Sequence, residues 1–292
     1  MLQHHQTKRH RQEPKSPLKT HVRAHDQVTS NEFWYRDEPP VLDQSFSAAK
    51  TKERHTQVTG ILLRAAKKAE KNGETDLAET YYELVDKLEG CRSKRRCGSL
   101  ACPCCARAFQ KAKVAAQEIM IESVRKNQPD KHLVFVTLIP KTKMYQPEEF
   151  QNIDISKANR WLKDVLKSGG KRMMLGSADL GWETRRGDGY VQVHWHLTMW
   201  TSNIRELKTK LANLFPRVRK SERPVEVKEA EDLGFLGYMN KGIKWEEILR
   251  RNRRQMAELL LVLDGIEPLE MMVLCRLRVS AQSGRLAFKP IG

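Results

Sequence analysis

Val191-Gln192-Val193-His194-Trp195-His196-Leu197-Thr198-Met199-Trp200 alternates in polarity with a period of two, the pattern of a half-buried strand. Val191, Val193, Trp195, Leu197 and Met199 fall on one face, and Gln192, His194, His196 and Thr198 on the other. Two imidazoles therefore stand side by side on the polar face. Neutral imidazole is a metal ligand and a proton carrier, so a pair at i and i+2 is placed to grip one ion. For either histidine taken singly, a hydrogen-bonded or solvated face residue is the plainer account.

The residues just before this strand extend the argument. Arg172 to Arg185 reads as a second long strand, with Met174, Ala178, Leu180, Trp182 and Thr184 on one side and Asp179 and Glu183 on the other. Arg186-Gly187-Asp188-Gly189 then gives a hairpin signal, because Asp-Gly supplies the positive φ that tight turns between strands require. Folding there sets Glu183 opposite Val193 or His194 and adds a carboxylate to the imidazole pair, with Asp179 as the alternative on the same face. Two nitrogens, one carboxylate and open positions suit magnesium or manganese handling a phosphate better than a closed structural zinc.

Upstream, five of the six cysteines lie between Cys91 and Cys105, in Cys91-Arg-Ser-Lys-Arg-Arg-Cys97-Gly-Ser-Leu-Ala-Cys102-Pro-Cys104-Cys105. Such clustering argues for zinc over disulfides in a reducing compartment. Cys102 and Cys105 form a Cys-x-x-Cys knuckle, and Cys91 and Cys97 complete a tetrahedral set. Cys104 is left over, although a swap with its neighbour Cys105 fits the spacing. Lys94, Arg95, Arg96 and Arg107 beside the knuckle suit phosphate contacts. Cys275 stands alone as a small apolar residue.

The rest of the chain supplies the frame. Residues 1–46 mix His4, His5, His10, His21 and His25 with basic and polar residues and read as a disordered basic arm. Residues 47–90 carry two amphipathic stripes, a helical hairpin: Val58, Ile61, Leu62, Ala65, Ala66 and Ala69 in the first, Leu77, Ala78, Tyr81, Tyr82, Val85 and Leu88 in the second. Residues 91–128 hold the zinc knuckle and a long helix from Ala106 to Asn127. His132 to Ile139, apolar on both faces, is a central strand. A helix begins at Pro147 and runs to Val165, another spans Asn203 to Leu214, and Pro224 to Lys228 is a short edge strand.

Farther on, Tyr238 and Lys241 share a face if Glu231 to Lys241 is helical, which sets an ammonium beside a phenol. A phenol with a pKa near 10 is a poor nucleophile until its charge is stabilised. An ordinary surface tyrosine is the competing account. Residues 246–292 read as a basic helical segment, with Arg250, Arg251, Arg253 and Arg254 on one face and a short apolar helix in the tail.

The chain has 53 Lys and Arg against 36 Asp and Glu, net +17, a balance that favours a polyanionic partner. No apolar run long enough for a membrane span or a secretory leader is readable, so a cytoplasmic protein is expected.

Three motifs taken in order resemble those of the HUH endonucleases of rolling-circle replication. Phe135-Val-Thr-Leu138 resembles the family's first motif, His194-Trp195-His196 its histidine-hydrophobic-histidine motif, and Tyr238-Met-Asn-Lys241 its Tyr-x-x-Lys motif. The cysteine block resembles the zinc-binding segment that precedes the nuclease domain in a group of plasmid replication initiators. The resemblance runs from about Cys91 to Trp245, with the nuclease domain over residues 129–245.

It implies an α+β fold, a central antiparallel sheet flanked by helices, preceded here by the helical hairpin and zinc knuckle. It also implies catalytic Mg2+ or Mn2+ on His194, His196 and an acidic residue, Glu183 or Asp179, and structural Zn2+ on the cysteines. Tyr238 matches the nucleophile and Lys241 the lysine that follows it. Phe235 stands one turn before Tyr238, so a second tyrosine is missing.

The expected function is a bacterial replication initiator that nicks and rejoins single-stranded or hairpin origin DNA through a 5′-phosphotyrosyl link, alongside a host helicase and polymerase. A transposase or relaxase with the same chemistry, and a non-catalytic zinc protein binding nucleic acid, are the alternatives. No phosphate-binding Gly-x-x-x-x-Gly-Lys-Ser/Thr loop is present.

Overall fold

The computed structural model describes residues 47–168, 173–184, 189–217, 223–243, 245, 249, 252–282 and 285–291. The expected basic arm at 1–46, the turn residues 186–188 and Arg250 and Arg251 lie outside the described residues.

The helical hairpin is α1 (Ala48–Lys71) and α2 (Thr75–Glu89). Ser47 caps α1, its hydroxyl accepting from the Lys50 amide at 3.3 Å, which satisfies one of the free N–H groups of the first turn. Most of the stripes read from sequence are buried: Val58, Leu62, Ala66, Tyr81, Val85 and Leu88 join the same core as the sheet residues Val193 and Trp195, while Ala65, Leu77 and Tyr82 are half-buried at its margin. After the cysteine block comes α3 (Pro103–Asn127), which starts three residues before the expected Ala106 and takes Cys104 and Cys105 into its first turn. Pro103 at its start is the cause, since proline fixes a helical φ and its missing N–H costs nothing there.

The sheet contains β1 (His132–Leu138), β2 (Met144–Tyr145), β3 (Met174–Thr184), β4 (Gly189–Thr201), β5 (Val225–Glu229) and β6 (Met272–Cys275). Its order is β5-β1-β4-β3-β6, with β2 also paired to β4, and every pairing is antiparallel. β4 is the middle strand; β1, expected to be central, is an interior strand one in from the edge, still covered on both faces, and β5 lies at the edge. The helix expected from Pro147 is a 3-10 turn, Pro147–Asn152, then a break at extended Ile153, then α4 (Ile155–Ser168). α5 (Ile204–Leu214) begins where expected, with Asn203 accepting from the Glu206 amide at 3.0 Å.

Two cores sandwich the sheet. Val191, Val193, Trp195, Leu197 and Met199 enter one, with Leu162 of α4 and Leu207 and Leu211 of α5. The buried Trp195 indole donates to Asn159 Oδ1 at 2.7 Å, and Asn159 donates to the Glu270 carbonyl at 2.6 Å, so the polar handle of a buried tryptophan is satisfied. Leu133, Phe135, Leu175 and Trp200 point the other way, into a core built by α3 and by α6 (Phe235–Met239). The face carrying His194 and His196 therefore lies under helix rather than open to water.

The C-terminal segment departs from the expected basic helix. Among the described residues, α7 (Arg253–Asp264) is followed by a 3-10 turn and three strands: β6, which extends the sheet, then β7 (Leu277–Gln282) and β8 (Arg285–Pro290), a hairpin packed along α3. Leu277, Leu286 and Phe288 seal the second core. No helix among the described residues is long and apolar enough to cross a membrane.

Candidate functional site

The pairing of β3 with β4 fixes which carboxylate meets which imidazole. Asp179 pairs with His194, Ser177 with His196, and Glu183 with Tyr190, so Glu183 does not stand opposite Val193 or His194 as the hairpin reading expected. The difference arises because turn length sets register, and shifting it carries every cross-strand partner along. Both carboxylates nonetheless serve the pair. Asp179 Oδ2 is 3.6 Å from His196 Nε2, both side chains being 2% exposed, and Glu183 Oε1 is 3.9 Å from His194 Nε2, with Glu183 39% exposed.

Neighbouring residues aim the rings. Thr137 on β1 lies opposite His196 and its Oγ1 is 3.2 Å from His196 Nδ1. In the tautomer that donates Nδ1–H to this hydroxyl, Nε2 carries the lone pair, and that buried nitrogen makes no hydrogen bond. Phe135 stacks on the same ring at 5.7 Å between centroids. The His194 ring lies over Gly181, where a Cβ would meet Cε1 at 3.0 Å, so glycine makes the room. A buried set of imidazole nitrogens and carboxylate oxygens, one nitrogen with no hydrogen bond, fits a divalent ion that takes mixed N and O ligands.

Tyr238 lies at the rim of this pair. Its ring meets His196 edge-on at 5.2 Å and Phe135 at 6.3 Å, while the residue is 45% exposed. The expected long helix over Glu231 to Lys241 is only α6, and Lys241 lies beyond its end, where its amide donates to the Tyr238 carbonyl at 3.3 Å. The juxtaposition survives by a different route: Lys241 Nζ sits over the Tyr238 ring face, 4.6 Å from the centroid. Gly242, at φ 68°, then turns the chain so that its carbonyl accepts from the Leu180 amide at 3.0 Å. The tyrosine segment is thus tied to β3 right beside Asp179.

α3 holds α6 from above with side-chain amides. Gln110 donates to the Gly237 carbonyl at 2.7 Å, and Asn240 Nδ2 donates to Gln117 Oε1 at 2.6 Å and to the Leu236 carbonyl at 2.9 Å, all buried. On the same face of α3, Lys113 reaches toward the sheet and donates to Ser177 Oγ at 3.0 Å. Burial lowers the Lys113 pKa to about 7, and the Asp179 charge partly counteracts that shift. This lysine was not singled out from sequence; among the many basic residues of an amphipathic helix nothing marks it until its face is known.

The cysteine block builds a second centre. Gly98 takes φ 77° directly after Cys97, a left-handed turn that brings the chain back to Cys102. Cys91, Cys97, Cys102 and Cys105 place their sulfurs within 4.8 Å of one another, with Cys91 to Cys105 and Cys97 to Cys105 both at 3.5 Å. A tetrahedral zinc with bonds of about 2.3 Å sets its sulfurs roughly 3.8 Å apart, so this group can hold such a metal. Hydrogen bonding from Cys102 lowers the Cys91 and Cys97 thiol pKa values, while contact with Cys104 and the others raises that of Cys102. Crowded thiols cannot all ionise unless a cation offsets their charge, and a soft dication is suited to that.

His55 of α1 also approaches this centre, within 4.8 Å of the sulfurs of Cys102 and Cys104. It lies 36 residues before the block, inside an amphipathic helix, and carries no spacing signal. Comparison with protein-family models, with curated proteins and with solved structures returned no match for this chain.

Proposed function

We propose that the chain nicks and rejoins single-stranded DNA, using Tyr238 as the nucleophile beside a divalent-ion site on His194, His196 and a carboxylate. One observation carries the reading: a tyrosine ring, half exposed, lies 5.2 Å from an imidazole of a buried pair that also meets two carboxylates. The resemblance to HUH endonucleases supplies the reaction class, and Asp179, the more buried carboxylate, is the better candidate for the acidic ligand.

In this mechanism Tyr238 Oη attacks the phosphorus in line as its proton passes to solvent. The new bond joins the phenolic oxygen to phosphorus, and the bond to the 3′-oxygen breaks, giving a 3′-hydroxyl once that oxygen takes a proton. A bound Mg2+ or Mn2+ would polarise the phosphate and offset charge growing on its oxygens. Lys241, over the Tyr238 ring, adds positive charge where the phenolate develops. Because the adduct retains a phosphodiester-like ester, the 3′-hydroxyl can reverse the step without a nucleotide cofactor.

Single-stranded origin DNA is the proposed substrate, with a host helicase and polymerase acting on the product, and the net charge of +17 favours such a polyanion. A transposase or relaxase would use the same chemistry. The cysteine group by itself favours a second reading, a zinc protein that binds nucleic acid without cutting it. An end-labelled single-stranded oligonucleotide incubated with Mn2+ separates these: wild type forms a covalent, denaturant-resistant adduct and Tyr238→Phe does not. Absence of any adduct across a panel of hairpin substrates favours the non-catalytic reading.

A further inference from the structure

The four-sulfur group leaves Cys104 over. Cys104 and Cys105 are successive residues in the first turn of α3, so their side chains diverge by about 100° around the helix axis. Cys105 turns to Cys91 and Cys97, while Cys104 turns to His55 on α1. Cys102, the residue just before the helix, lies between the two groups. Its sulfur lies within 4.8 Å of the Cys104 sulfur and also of the sulfurs of Cys91, Cys97 and Cys105.

We propose that His55, Cys102 and Cys104 form a second metal site that takes a zinc-class divalent ion, with the Cys102 sulfur bridging it to the four-cysteine site. One ring nitrogen of His55 and the sulfurs of Cys102 and Cys104 lie within 4.8 Å of one another. His55 Nε2 is 3.0 Å from the Leu88 carbonyl and donates to it, which leaves Nδ1 as the nitrogen free to bind. A ligand imidazole whose other N–H is held by a backbone carbonyl is the usual second contact of zinc histidines, because it fixes ring orientation and raises basicity.

On binding, bonds form from the metal to His55 Nδ1, to Cys104 Sγ and to the second lone pair of Cys102 Sγ. The Cys104 proton is released to solvent, and a water completes the fourth position. Three protein ligands and one open position distinguish this site from its closed neighbour.

The test uses the full chain, reduced, stripped of metal and titrated with Zn2+, with alkylation of each cysteine by iodoacetamide read by peptide mass. This readout is blind to ions held by the histidines of residues 1–46. The first equivalent should protect Cys91, Cys97, Cys102 and Cys105 and the next should protect Cys104, slowing its alkylation at least about tenfold. In His55→Ala, and in His55→Gln, which keeps a donor toward Leu88, Cys104 should stay reactive while the other four remain protected. With Co2+, Cys104→Ser should lose the thiolate-to-cobalt absorption of the later equivalent and keep that of the first. The proposal is overturned if Cys104 reacts equally fast at one and at several equivalents of Zn2+. It is also overturned if Cys104 stays protected in both His55 variants, or if the first equivalent protects Cys104 in place of one of the four.

Discussion

Asp179 and His196 meet inside the sheet with Oδ2 3.6 Å from Nε2 and each side chain 2% exposed, whereas Glu183 reaches His194 at 3.9 Å from a position 39% exposed. A buried carboxylate is held in one geometry and water competes poorly for it, while an exposed one is mobile and hydrated. Asp179→Asn should therefore lower Mn2+-dependent adduct formation by about 100-fold and Glu183→Gln by less than about tenfold. Initial rates against Mn2+ concentration decide, and a larger loss from Glu183→Gln would make the exposed carboxylate the principal ligand.

Gly181 predicts a steric effect on the same imidazole pair. A Cβ there comes within 3.0 Å of His194 Cε1, so Gly181→Ala must push the ring off its position. We expect weaker Mn2+ binding, by about tenfold, with a stability loss of only about 1–2 kcal/mol, in the range of modest overpacking. Calorimetric titration with Mn2+ beside thermal unfolding measures both quantities. Unchanged Mn2+ affinity would mean that the position of the His194 ring does not limit metal binding.

Gln117 and Asn240 tie α3 to the tyrosine segment through a reciprocal amide contact, 2.6 Å in one direction and 3.3 Å in the other. Gln117→Leu leaves a buried amide short of its partner, a cost of about 1–3 kcal/mol. Because Asn240 is two residues from Tyr238, the adduct rate should fall about tenfold while the Kd for single-stranded DNA changes little. Gln117→Glu, which keeps an acceptor toward Asn240 Nδ2, should recover part of the rate.

Lys113 gives a pH dependence of fixed sign. Burial takes its pKa from 10.5 to about 7, so between those values the unfolded chain binds more protons than the folded one. Stability must then rise with pH across that window, by on the order of 2 kcal/mol between about pH 7.5 and about pH 9.5. Comparison with Lys113→Met cancels the thiols that titrate in the same range, and the wild-type curve should be the steeper by that amount. Parallel urea-unfolding curves for the two proteins would place the folded-state pKa of Lys113 back at its ordinary value.

The sequence carried the features whose geometry is local. Alternation along β4 put His194 and His196 on one face and Trp195 on the other, and the cysteine spacing singled out the four residues whose sulfurs converge. It missed what depends on pairing between distant elements. The register of Glu183 and Asp179 turns on a hairpin whose length alternation does not fix, and α6 is too short for periodicity to mark its ends. His55 and Lys113 look like ordinary residues of amphipathic helices, and only packing turns one toward sulfur and the other toward Ser177. In the C-terminal segment the alternation of Leu277 with Val279 and of Leu286 with Phe288 was available but outweighed by the basic residues between them.

The 25 residues of α3 span about 37 Å and belong to both centres at once. Their first turn carries Cys104 and Cys105; farther along come Gln110, Lys113 and Gln117, which roof the histidine face and grip the tyrosine segment. The boundary that motif spacing draws at residue 129 therefore cuts through a shared beam rather than a linker. A fragment beginning there keeps every residue of the three motifs yet strips Phe135 and Leu175 of the α3 part of their cover and removes the Gln110 and Gln117 contacts to the tyrosine segment. The smallest unit that keeps the histidine face covered therefore includes α3 from Pro103 onward, and a fragment cut at residue 129 is not a smaller domain but an incomplete one.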